Sequence, residues 1–136
     1  MRRRRWLLVG LALVVLAGAC WWWRQAVLPL SGLVLQPLGE VPPEVVSNLA
    51  ADLAHELRLP VRVAPRRPLP ESAWWPDRQQ YDGAALLDAL EPVTLEPGQR
   101  LLALVDADGS RGDLSFVFGL AQLGGDRAVL FLPRLA

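Results

Sequence analysis

Hydrophobic and polar residues follow three successive patterns along this chain, and each predicts a different kind of element. Trp6 to Trp23 is an uncharged run of eighteen residues, preceded by Arg2, Arg3, Arg4 and Arg5 and closed by Trp21, Trp22, Trp23 and Arg24. A basic flank, an apolar run and an interfacial aromatic belt predict a signal or anchor segment whose amino terminus stays in the cytoplasm. The second pattern is helical: Val45, Val46, Leu49, Ala50, Leu53, Ala54 and Leu57 recur at three-and-four spacing, opposite Glu44, Asn48, Asp52, His55 and Glu56. It predicts an amphipathic helix of about four turns. Pro42 and Pro43 open it where a missing N–H costs nothing, and Glu44 adds negative charge to its first turn.

The third pattern consists of short apolar runs, which predict strands. Gly32 to Gln36 reads as a buried first strand that Pro37 should end, because proline cannot donate to a ladder. Pro60 to Ala64 alternates as a second strand, and the strand-helix-strand order predicts a parallel pair with a right-handed crossover. The continuous run Leu101 to Val105 predicts the sheet centre, covered on both faces. Ser115 to Gly119 and Ala128 to Leu132, separated by Gly124-Gly125-Asp126, predict two more strands, paired as a hairpin or near one edge. Asp82 predicts the cap of a short helix through Leu90 that Pro92 brings to an end. The Pro-rich stretch around Trp74 and Trp75 carries no clear element. The expected fold is therefore α/β, with residues 1–30 a signal or transmembrane anchor and linker, and residues 31–136 a mixed sheet of about five strands with helices.

Charge narrows the choice of partner. Residues 31–136 carry nine Arg against fourteen Asp and Glu, a net of −5, which argues against nucleic acid. The membrane is the expected partner, with the domain on the extracytoplasmic side, periplasmic or at the cell surface. Cys20 is the sole cysteine, so no intramolecular disulfide can form. Its place after Ala17-Gly18-Ala19 leaves three fates open: a retained anchor, cleavage at the small residues, or lipidation of Cys20 after that cleavage. Ala17 stands where bacterial lipoprotein signals usually place Leu, Val or Ile.

Candidate chemistry is sparse. His55-Glu56 opens like a zinc-binding helix, but Leu59 occupies the second ligand position and Pro60 ends the helix, so His55 reads as a solvated surface residue. No Ser lies in a Gly-x-Ser-x-Gly elbow. Asp106, Asp108 and Asp113 have the opening spacing of a calcium loop, yet Arg111 stands where that loop needs Gly and Val117 where it needs Glu. Turn-forming Asp and Gly explain the segment better.

Several ordered landmarks across residues 33–135 resemble the archaemetzincins, a family of zinc metallopeptidases. They are Pro37-Leu38-Gly39 after the first strand, Arg78-Gln79-Gln80-Tyr81 before a helix, Asp113-Leu114, then Phe116-Val117-Phe118-Gly119-Leu120-Ala121, and Arg134-Leu135. The resemblance implies the amino-terminal half of a metzincin-like peptidase, ending before the zinc motif. It also implies that Phe116, Val117, Phe118 and Gly119 lie near the edge strand that pairs with peptide substrate, with Arg78, Gln80, Tyr81 and Arg134 as structural landmarks. Core packing is the expected role of Tyr81, Phe116 and Phe118.

The departures are as informative. His-Glu-x-x-His-x-x-Gly-x-x-His is missing, as are the family's downstream cysteines and methionine turn; the sole Met is Met1. No catalytic or metal residue is expected in this chain, zinc being implied only for a full-length family member, and the chain alone is expected to be inactive. A sheet face that the zinc helix would cover should then stand open. The competing expectation is a membrane-tethered, non-catalytic module that binds peptides, or a partner subunit that covers that face.

Overall fold

The computed structural model describes residues 29–135, so the leader, with Cys20, lies outside the described residues. Among the described residues no helix is long and apolar enough to cross a membrane. The elements run β1 (Gly32–Leu38), α1 (Pro43–Leu57), β2 (Val61–Val63), β3 (Trp74–Trp75), β4 (Gln80–Asp82), α2 (Gly83–Ala89), β5 (Gln99–Val105), β6 (Gly109–Ser110), β7 (Gly119–Ala121) and β8 (Arg127–Phe131). The main sheet has the order β2-β1-β5-β8-β7; its pairs are parallel except the β7–β8 hairpin. The apolar run Leu101–Val105 is thus central, as its composition predicted.

Pro37 does not end β1. The strand continues to Leu38, with Pro37 in register with Leu104. The reason is which way Pro37 faces: its carbonyl accepts from Arg67 N at 3.1 Å, on the flank where β2 has already stopped at Val63. The missing N–H therefore faces the irregular segment 64–67 rather than β5, and the ladder to β5 loses nothing.

The two faces of the sheet are covered unequally. On one, Val34, Leu38, Leu101, Ala103, Val105, Val129 and Phe131 pack with Leu86, Leu87 and Leu90 of the α2 segment, all buried. Asp82 caps α2 as predicted, its carboxylate accepting from Ala84 N at 3.1 Å. On the other face α1 lies over the β1–β2 side. There Val41, Val46 and Leu104 form a small buried cluster, while Leu102, Leu130 and Leu132 are only partly covered. The expectation of full cover on both faces of β5 fails at Leu102, because α1 does not reach across to β8 and β7. Val45, read as part of the buried stripe, is also exposed.

A second, three-stranded sheet, β3-β4-β6, was not legible in the Pro-rich stretch. Trp74 pairs with Tyr81 and Trp75 with Gln80, around a turn at Pro76-Asp77 where Gln79 takes a positive φ of 53°. The Pro-Asp pair between two β-prone runs was the available signal. β4 then pairs in parallel with β6, inside the segment read as an Asp-Gly turn.

Candidate functional site

The hairpin β7–β8 leaves β7 as a free sheet edge. Phe131 N donates to Phe118 O and Gln122 N to Arg127 O, so residues 118, 120 and 122 turn their backbone groups toward β8. By alternation, Gly119 and Ala121 present N–H and C=O outward. Both are exposed, and neither has a side chain large enough to shield the edge. The strand is displaced from its expected place at Ser115 to Gly119: the paired residues are Gly119–Ala121, and before them only Phe118 bonds to β8 while Val117 bridges to Gly109. Val117 packs inward against the core, which turns its neighbours outward. Phe116 is 37% and Phe118 52% exposed, so the core role expected of them is corrected; Tyr81 does pack against the core.

Three polar side chains hold the segment that leads into this edge. Arg78 donates to the carbonyls of Gly112 at 2.9 Å and Leu114 at 3.0 Å and to Ser110 Oγ at 3.3 Å, with its guanidinium 5.1 Å from the centre of the Trp75 ring. Buried Gln80 donates from Nε2 to Asp108 Oδ2 at 2.8 Å and to Ser115 O at 2.7 Å. Arg134 grips Asp108 through two bonds of 2.8 Å and lies over the Phe116 ring at 4.0 Å. Phe116 and Phe118 meet edge to face with ring centres 5.3 Å apart. Arg78, Gln80 and Arg134, far apart in sequence, thus converge on residues 108–116.

The Arg134 bonds, supported by Gln80, outweigh partial burial and hold the Asp108 carboxyl at about 2, below its ordinary 3.8. A carboxyl depressed in the folded state contributes stability above its unfolded pKa and loses it as pH falls toward the folded value. Arg134→Ala should therefore move the acid unfolding midpoint to higher pH while leaving the neutral-pH fold intact, as read by circular dichroism across pH 2–5. Coincident acid transitions for the variant and the parent would show that the pair contributes nothing.

An open apolar groove of about 360 Å³ lies on the thinly covered face, between Leu53 and Leu57 of α1 and Leu102, Ala121 and Ala128 of the sheet. His55 is exposed on α1. Among the described residues no group of three or more His, Cys, Asp or Glu is arranged to hold a metal ion, Asp106, Asp108 and Asp113 included. The residues present do not fit a zinc centre.

No family model matches the chain. It is 32% identical over 103 residues to an archaemetzincin of Archaeoglobus fulgidus, which covers 76% of this chain and 61% of the relative. It is 28% identical over 103 residues to that of Methanocaldococcus jannaschii, covering 76% and 55%. The fold superposes on the crystal structure of the Archaeoglobus fulgidus archaemetzincin, complexed with malonate, with a TM-score of 0.69, 31% identity and coverage of 77% of this chain and 63% of the other. The chain belongs to the archaemetzincin family. The archaemetzincin of Methanopyrus kandleri gives a TM-score of 0.66 at 32% identity, covering 78% and 60%. The chain spans a little over half the length of the curated archaemetzincins it matches. It is therefore a domain of a zinc metallopeptidase family whose described residues carry the five-stranded sheet and no metal site.

Proposed function

We propose that this chain is the amino-terminal, substrate-side portion of an archaemetzincin-like zinc peptidase, inactive by itself, in which β7 receives an extended peptide. The carrying observation is the outward N–H and C=O of Gly119 and Ala121 beside an open apolar groove. A free edge binds any extended backbone through these groups, which fits peptide-bond hydrolysis as the reaction of the completed enzyme. The zinc ligands would come with a helix laid over Leu102 and Ala128, since this chain's single His is on the wrong face of α1. The basic flank and apolar run of residues 2–24 support a membrane tether with the domain outside the cytoplasm.

Isotope-labelled protein titrated with a capped Thr-Val-Thr-Val-Thr peptide tests the edge. The amide signals of Gly119 and Ala121 should shift most, and Ala121→Pro should abolish the shifts while preserving the fold, because proline is tolerated where the N–H faces solvent. Shifts confined to other strands, or unaffected by Ala121→Pro, would rule out β7 as the binding edge.

A further inference from the structure

Resting on that edge reading, we infer that Phe116 and Phe118 form an apolar shelf at the start of β7, which makes the site select extended peptides carrying Leu- or Phe-like side chains. Leu114, Phe116 and Phe118 are exposed within five residues, at 56%, 37% and 52%. Scattered exposed apolar residues are ordinary, but these are neighbours and lie beside a backbone edge that needs a partner.

The shelf is also held in place. The carbonyls of Gly112, Leu114 and Ser115 are tied to Arg78 or Gln80, and Val117 is pinned to Gly109 O by a 2.9 Å bond. The edge-to-face contact of the two rings and the Arg134 guanidinium over Phe116 fix the aromatic geometry. An ordered apolar surface loses little entropy on binding, so it discriminates between side chains better than a floppy loop would.

Phe118 directly precedes Gly119, whose outward N–H and C=O would hold the peptide backbone. A strand bonded to Gly119 and Ala121 that continues past the start of β7 passes Phe118, where an apolar side chain shields the ring and a polar one loses its water. Smallness at Gly119 and Ala121 leaves room for the backbone, so discrimination falls to the shelf.

The test compares two capped peptides, Thr-Leu-Thr-Leu-Thr and Thr-Asn-Thr-Asn-Thr, by calorimetry with the full chain. Leu and Asn are of similar size and uncharged, so the net charge of the domain does not enter. The Leu peptide should bind about tenfold more tightly, a difference of about 1.4 kcal/mol. The Phe116→Ser, Phe118→Ser double variant should erase the difference, with the Leu peptide losing affinity and the Asn peptide losing none. Phe118→Ser alone leaves the Arg134–Phe116 contact untouched and should reduce the preference about threefold. Equal binding of both peptides, still weakened by Ala121→Pro, would overturn the shelf and leave the edge reading standing. A preference that survives both serine variants would overturn it too. No binding of either peptide would overturn both readings. A dimer that Phe118→Ser dissolves, with peptide ignored, would give the shelf to a second copy of the chain and overturn the proposal.

Discussion

Phe131→Ala should lower the unfolding free energy by roughly 3–5 kcal/mol, measured by urea denaturation at neutral pH. Phe131 is fully buried at the end of β8, in register with Val105. Its ring lies directly beneath Gly109: a methyl group built on that glycine would meet three ring carbons well inside contact distance. The same ring therefore supports the main sheet and β6 of the small sheet, and truncation leaves a cavity between them that backbone on both sides cannot fill. Gly109→Ala should also destabilise, by about 1–3 kcal/mol, through overpacking of that contact. A loss below about 1 kcal/mol for Phe131→Ala would mean that the two sheets do not share this ring. Because domains of this size are stable by only about 5–15 kcal/mol, the larger loss takes away much of the total.

The second large effect concerns two leucines on one face of β5. Leu104 is fully buried beneath α1 with Val41 and Val46, whereas Leu102, two residues earlier, is only partly covered. Leu104→Ala should cost roughly 2–5 kcal/mol, the range for a filled core site, while Leu102→Ala should cost distinctly less, because Leu102 keeps part of its apolar area in water and truncation there leaves no closed cavity. The open groove beside Leu102 should also bind a hydrophobic dye, with emission that falls sharply in a Leu102→Gln, Ala128→Gln variant that still unfolds cooperatively. Equal costs at the two leucines, with no dye signal, would mean that the face is already closed.

What the sequence disclosed follows from how local each signal is. The helix at Pro43–Leu57, the Asp82 cap, the centrality of Leu101–Val105 and the β7–β8 hairpin around Gly124-Gly125 were all readable, because spacing, capping and turn chemistry act within a few residues. Pro37 was misread because its consequence depends on what flanks it: only the early stop of β2 frees its N–H side. Phe116 and Phe118 were misread for a related reason, since strand-like composition does not reveal that residues 115–117 run outside the main sheet, tied to Gly109 by a single bridge at Val117. The resemblance located Arg78, Gln80 and Arg134 as landmarks. Their shared task of holding residues 108–116 came only from the fold, which joins positions separated by 26 to 36 residues. The exposed α1 residues His55 and Glu56 fit their placement on the polar side.

The most direct test of the central claim is a chimera in which this chain is followed by the segment of the Archaeoglobus fulgidus archaemetzincin that it does not match. Zinc content, dye binding and peptide hydrolysis are measured on the purified protein. If this domain is the substrate-side part of a zinc peptidase, the chimera should hold one zinc per chain, lose the dye signal as the groove by Leu102 is covered, and cleave an apolar peptide in a manner that Ala121→Pro suppresses. A folded chimera that binds zinc yet leaves the groove open to dye and cleaves no peptide would contradict the account.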